Sequence, residues 1–415
     1  MYEGKIIKFY REKANITQEH LGKGICSATH ISKIERGLTE YASEITALLA
    51  TRLDINIEEE VNNLANIKEK LDLWHEMIIS QNMQAASQIN NELANSQLIR
   101  ISEYQILYKL LHVKYNLKQG HMNEVHKQIK DLPNDSSNLP DFEKNLFKHV
   151  FGIYNMAIEN HLKSIELLRN IDFDSYSNPL VYYDLAAAYH YMNSPVLTYY
   201  YAEKALQLYK RKNNFLGIID TENLMLIQVE SDQHRDFKET IEKYENLIGI
   251  CNLCNSADKK AKILHNFAYE HLRRKNYLQA FNLYKQSMEL KERKSGIYLL
   301  SLEGYIRSAF EGNLLSQEEL LENVHDGLEI AKGIKDSIYA IILTLHHYLI
   351  LEKMDQYYRY LTNKAIPYFT KHGYIIIARR YEKELFKYYS KIGETERAIV
   401  IAERLIDSYD EQINR

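Results

Sequence analysis

Large and small side chains return at the same offsets along most of this chain. Tyr182, Leu185, Ala186 and Tyr189 form a block at helical spacing, followed by Thr198, Ala202 and Ala205. Leu264, Phe267, Ala268 and His271 form another, followed by Tyr277, Ala280, Tyr284 and Ser287. Thr221, Leu224 and Met225 lead to Phe237, Ile241 and Tyr244; Leu385, Phe386 and Tyr389 lead to Ala398, Ala402 and Leu405. Steps of three and four put each block on one helix face. Small residues are needed where two helices cross closely, and the larger ones fill the groove against the next pair. A chain of 415 residues is too long for one ordinary core. Self-similarity of this kind predicts stacked helical hairpins instead. Only 15 Gly and 5 Pro interrupt the chain, so it reads as mostly helix. The breaks fall at 131–140, 175–179 and 294–296.

The N-terminus is a different unit. Ile6, Ile7 and Tyr10 give a first helix an apolar stripe. Thr17 and Ser27 stand where a hydroxyl caps a second and a third helix. Leu21, Ile31 and Ile34 face inward, Gly22 and Gly24 soften the turn between those helices, and Gly37 stops the third. A further helix starts at Ser43 and uses Ile45, Leu48, Leu49 and Leu53. Residues 58–80 then read as one connecting helix, acidic at its start (Glu58, Glu59, Glu60). Its stripe of Val61, Leu64, Ile67, Leu71, Trp74 and Ile78 packs on the repeats or on a partner's copy.

Net charge is −4, yet residues 1–39 hold seven Lys/Arg against four Glu. Binding to nucleic acid needs local phosphate contacts, not global charge. Three cysteines give no disulfide framework; the Cys251–Cys254 pair has no second pair to complete a zinc site. No apolar run reaches membrane-spanning length and no signal peptide opens the chain, which predicts a cytoplasmic protein. Neither a Ser-His-Asp context nor a phosphate loop nor a His-Glu-x-x-His motif supports catalysis. The pair His346–His347 points to different helix faces. No cofactor or metal is expected.

Residues 3–57 resemble the Cro/repressor-type helix-turn-helix. The resemblance implies that Gln18 meets phosphate, that Ser27, Ala28, Thr29, His30 and Lys33 lie at base- or phosphate-contacting positions, and that Arg11 and Glu35 form an internal ion pair. The repeating blocks resemble tetratricopeptide hairpins, best in 264–287, with spacing longer than the consensus. Residues 81–415 leave room for about eight or nine of them. The fold class is therefore all-α: a repressor-type helix-turn-helix domain (1–57), a connecting helix (58–80) and a right-handed tetratricopeptide-repeat solenoid (81–415) for peptide binding and oligomerisation. In such arrays the first helix of each hairpin lines the concave face. Asp184, Asn223 and Asn266 share one register there, with Tyr183, His190, Tyr269 and Arg273 at other inward positions. An amide both donates and accepts, which suits a peptide backbone, and an arginine suits a carboxylate.

The combination resembles the Rap/Rgg/NprR/PlcR/PrgX superfamily, most of all its NprR and PlcR branch. That resemblance implies a quorum-sensing transcription regulator: a homodimer or higher oligomer on a double-stranded DNA operator, controlled by a short signalling peptide. Two other readings stay open. One is a sequestering protein or phosphatase acting on a phosphorelay response regulator, with Gln81, Gln84, Gln88 and Gln105 as water-positioning amides. The other is a constitutive phage- or plasmid-type repressor.

Overall fold

The computed structural model describes residues 2–38, 43–228 and 236–413. All regular structure among them is helical. The chain divides into two compact units, Met1–Val229 and Glu230–Arg415.

The first unit opens with four short helices, α1 (Glu3–Lys13), α2 (Gln18–Gly22), α3 (Ala28–Glu35) and α4 (Ser43–Arg52). Ile7, Leu21, Ile31, Ile34 and Leu49 form their shared core. Leu48, read as part of that stripe, instead turns to solvent, 54% exposed. The connecting helix α5 (Ile57–Ile79) starts where Asn56 accepts from Glu59 N. Its stripe packs inward on the repeats, and Leu64, Ile67, Leu71, Trp74 and Ile78 are all buried. Then follow α6 (Met83–Asn95), α7 (Gln105–Gln119), α8 (Met122–Gln128), α9 (Asp141–Ala157), α10 (His161–Arg169), α11 (Pro179–Tyr191), α12 (Pro195–Arg211) and α13 (Phe215–Gln228).

The second unit holds α14 (Phe237–Leu253), α15 (Ala257–Arg273), α16 (Tyr277–Glu289), α17 (Gly296–Glu311), α18 (Gln317–Gly333) and α19 (Ser337–Ile350). It ends with α20 (Met354–Tyr360), α21 (Ile366–Lys371), α22 (Ile375–Ile392) and α23 (Thr395–Ile413). A single π turn, Leu361–Ala365, joins α20 to α21 just ahead of Pro367. Within each unit the helices pack as consecutive pairs of the tetratricopeptide type.

One device closes most of these turns. The second residue past the helix, just beyond its C-cap, takes positive φ at Asn193, Asn213, Asn255, Lys275, Asn313, Lys335 and Glu352, between 51° and 62°. The next amide then reaches back to the helix's final turn: Ser194 N to Tyr189 O (3.0 Å), Asn276 N to His271 O (2.9 Å), Asp336 N to Ala331 O (2.8 Å). This satisfies carbonyls that a helix end would otherwise leave open. Asparagine is frequent there because it tolerates the left-handed region better than other side chains.

Glycine marks the tightest crossings. A Cβ on Gly152 would lie 2.6 Å from Leu168, on Gly217 2.5 Å from the Tyr209 ring, and on Gly304 2.3 Å from the Tyr284 ring. Each time, the bulky partner sits on the preceding or following helix and fills the place of the missing side chain.

Candidate functional site

The N-terminal module is held by caps and one ionic cluster. His20 N donates to Thr17 Oγ1 (3.1 Å) and His30 N to Ser27 Oγ (3.2 Å), so both expected caps are in place. Arg11 Nε meets Glu35 Oε1 at 2.5 Å and its Nη2 meets Oε2 at 3.0 Å. Gln18 Nε2 donates to the same carboxylate (2.8 Å), so this amide braces α2 against α3 from inside the module. On α3, Thr29 and Lys33 are exposed, Ala28 and His30 are half-buried, and Ser27 stands exposed at its N-cap. Short polar and cationic side chains thus share the outer face of an eight-residue helix, which is the form of surface that enters a major groove.

The Glu35 side chain is only 3% exposed, and its hydrogen bond holds the Arg11 guanidinium above its ordinary pKa. Glu35→Ala leaves a largely buried guanidinium without its carboxylate. Thermal melts should show the module destabilised by about 2–3 kcal/mol, below a fully buried pair because Arg11 keeps the Ile16 carbonyl. An unchanged melt would mean that the cluster is not what braces α3.

Sequence reading placed Ile6 and Ile7 on one stripe; the structure separates them. Ile7 belongs to the module's core, whereas Ile6 joins the core built on α5 with Leu64, Ile67 and Trp74. Tyr2, Phe9 and Tyr10 pack against that second core. Burial and the hydrogen-bonded Glu60 carboxylate push the Tyr10 phenol up to about 12. Thus α1 is wedged between the module and the connecting helix.

The inward-facing candidates fall into different surroundings. Asp184 on α11 is 1% exposed and accepts from His149 Nε2 at 2.9 Å. Burial alone would raise its carboxyl, but Lys118 at 3.9 Å and the His149 bond hold it below the ordinary value. Asn223 on α13 is equally buried. Tyr183 is half-buried, with its phenol pushed well up by burial. His190 takes a 2.9 Å hydrogen bond from Gln228 Nε2. In the second unit, α15 carries Asn266, half-buried, and Tyr269, 37% exposed; Arg273 Nη1 lies 3.4 Å from Glu270 Oε1. Of the glutamines read as water-positioning groups, Gln81 donates to Asp220 Oδ2 at 3.0 Å.

Two clusters gave no sequence signal. In the first unit, Lys114 on α7 is fully buried, with Nζ 3.2 Å from His75 Nε2, 3.4 Å from His149 Nδ1 and 3.5 Å from the Tyr176 hydroxyl. Burial brings its pKa down to about 7 and that of His149 down to about 4. In the second unit, Glu303 on α17 lies 3.3 Å from His346 Nε2 on α19 and 3.8 Å from Arg380 Nη2 on α22. Burial opposes its charge, but the His346 bond and Arg380 outweigh it and hold it at about 2. Each cluster draws its members from several helices, so no local spacing reveals it.

No family model matches the chain. The transcriptional activator NprA of Geobacillus stearothermophilus is 23% identical over 392 residues, covering 89% of this chain and 94% of its own length. The chain is thus similar, along most of its length, to a regulator of the Rap/Rgg/NprR/PlcR/PrgX type. Solved structures agree with that fold. NprR in complex with its cognate peptide NprX superposes with a TM-score of 0.65 at 19% identity, over 83% of this chain and 99% of that one. A Rap protein complexed with competence and sporulation factor gives 0.69 at 14% identity, over 85% and 99%. Both likenesses cover nearly the full length of the family members concerned.

Proposed function

We propose that the protein is a cytoplasmic transcription regulator whose DNA binding is controlled by a short signalling peptide held by the helix-pair array. One observation carries the reading: α1 contributes to the helix-turn-helix core through Ile7 and to the array-side core through Ile6. The face of α3 is thereby mechanically tied to helices that a peptide can rearrange. A ligand acts at a distance only through its differential affinity for two states, and such a tie gives that difference a route. The relative named a transcriptional activator, and the peptide held by the NprR structure, support the reading.

Ser27, Ala28, Thr29, His30 and Lys33 are the side chains proposed to face the duplex, with Gln18 at the entry to the motif. One such unit reads a half-site, so the working form is a homodimer or higher oligomer. The last pair, α22 and α23, offers apolar surface for self-association: Ile392, Ile399 and Ile406 are each at least half exposed. For the peptide, α15 is the helix to test, because Asn266 and Tyr269 reach its surface where Asp184 and Asn223 do not. The protein acts without catalysis.

The test is fluorescence anisotropy of the full-length protein on DNA from its own upstream region, with and without the peptide fraction of spent medium. Saturable, salt-sensitive binding that shifts with the fraction is expected. Absence of saturable binding would sink the reading and move the weight to a response-regulator partner. Asn266→Ala should raise the amount of fraction needed for half the response about tenfold, the scale of one or two lost hydrogen bonds. An unaltered response would remove α15 from the site.

A further inference from the structure

The helix that precedes α3 is unusually short. α2 spans five residues, ends in Gly22, and is followed by Lys23 and by Gly24 at φ +75°. Two glycines within three residues leave the approach to α3 with little stiffness of its own. Gly22 O is served by the Ile25 and Cys26 amides (2.8 and 2.9 Å). The carbonyls of Leu21 and Lys23 accept instead from a distant side chain: Arg52 Nη1, at 2.7 and 2.6 Å. Arg52 is the last residue of α4, two positions before the positive-φ Asp54 and five before α5 begins. One guanidinium NH2 group carries two hydrogens, so a single nitrogen can bridge both carbonyls. Its charge also lies at the negative end of α2.

We propose that Arg52 is the positioning residue of the DNA-binding motif. It clamps the turn between α2 and α3 from α4, and so fixes how α3 is presented to a duplex. The inference rests on the DNA-binding reading above. Arg52 is also the residue of α4 nearest in sequence to the connecting helix, so a shift of α5 reaches the α2–α3 turn through it. Nothing in the sequence marks this residue, because its partners are backbone carbonyls about thirty positions away.

The test uses the full-length protein and two duplexes: one that the wild-type protein enriches from a random-sequence pool, and an unrelated one of equal length. Arg52→Ala should weaken the enriched duplex about tenfold, the scale of lost charge-assisted hydrogen bonds, and the unrelated one less than about twofold. The salt dependence should keep its slope, and the melting midpoint should barely move because the side chain is exposed. Arg52→Lys, which can still donate to both carbonyls, should recover most of the loss. Equal losses on both duplexes, with a slope reduced by about one, would make Arg52 a phosphate contact and overturn the proposal. So would an Arg52→Ala protein that binds like wild type, or a loss that Lys does not rescue. If the wild-type protein enriches no duplex, the DNA-binding reading itself fails and takes this proposal with it.

Discussion

Lys114→Met is expected to make the first unit more stable and to remove part of its pH dependence. Lys114 is fully buried, and its ammonium contacts two histidine nitrogens and a phenol rather than a carboxylate. Asp184 reaches the cluster through His149, while Lys118 opposes the charge and Glu76 favours it. Desolvation prevails and lowers the pKa from 10.5 to about 7. Between those values the unfolded chain binds a proton that the folded one does not, so stability rises with pH through this window. Below about 7 both states are protonated and the burial cost is fully present. Methionine fills a similar volume without charge, and such replacements of buried ionic groups gain about 1–4 kcal/mol. Melts of wild type and variant should differ most at and below neutrality and converge as pH rises. His149, brought down to about 4 by burial and by the Lys114 charge, adds an acid limb: stability falls as pH drops from 6.5 toward that value, and the substitution should shrink this limb without abolishing it, because burial is the larger cause. A variant less stable than wild type at neutral pH would show that the ammonium is needed where it lies.

Gly304→Ala is the second large effect. The added methyl would sit 2.3 Å from Cζ of Tyr284 and 2.5–2.6 Å from its two Cε atoms. Tyr284 is 1% exposed and belongs to the α15–α16 core with Ala268, Leu272 and Ala280. The ring cannot yield without moving that core, so α16 and α17 must separate. Overpacking of this kind costs about 1–3 kcal/mol, which urea unfolding of the second unit would register. Gly304→Ala combined with Tyr284→Leu should cost less than the sum of the single changes, the sign of a shared contact. Strict additivity would mean that the methyl is accommodated elsewhere.

The helical class, the two caps and the buried stripe of α5 were legible because each is a local pattern: a hydroxyl before a periodic run, or apolar steps of three and four. The Arg11–Glu35 pair spans 24 positions and was legible only through the resemblance to the repressor-type motif. The left-handed asparagines at the turns were equally local but sit among many other asparagines, so only the backbone picks them out. Gly152, Gly217 and Gly304 carry no local mark, since what demands a glycine is a side chain on another helix. The same holds for Asp184. Its register on α11 matches that of Asn266 on α15, but His149, from another pair, turns it into a member of a buried cluster. Lys114 and Arg52 were silent for the same reason, their partners lying far along the chain.

The division of α1 between two cores bears on how such proteins can exchange DNA specificity. A fragment cut after residue 57 would expose Ile6, Phe9 and Tyr10 to water, and would strip Ile6 from the core around Trp74. The reader is therefore not a transplantable cassette. A foreign module grafted onto this array would need its own apolar residue at position 6 and an aromatic at position 10 to seat on α5. Descent by whole-module shuffling is costly for this architecture. With α3 as the proposed reading helix, drift at its outer positions, where no core side chain is disturbed, would be the cheaper path to a new operator.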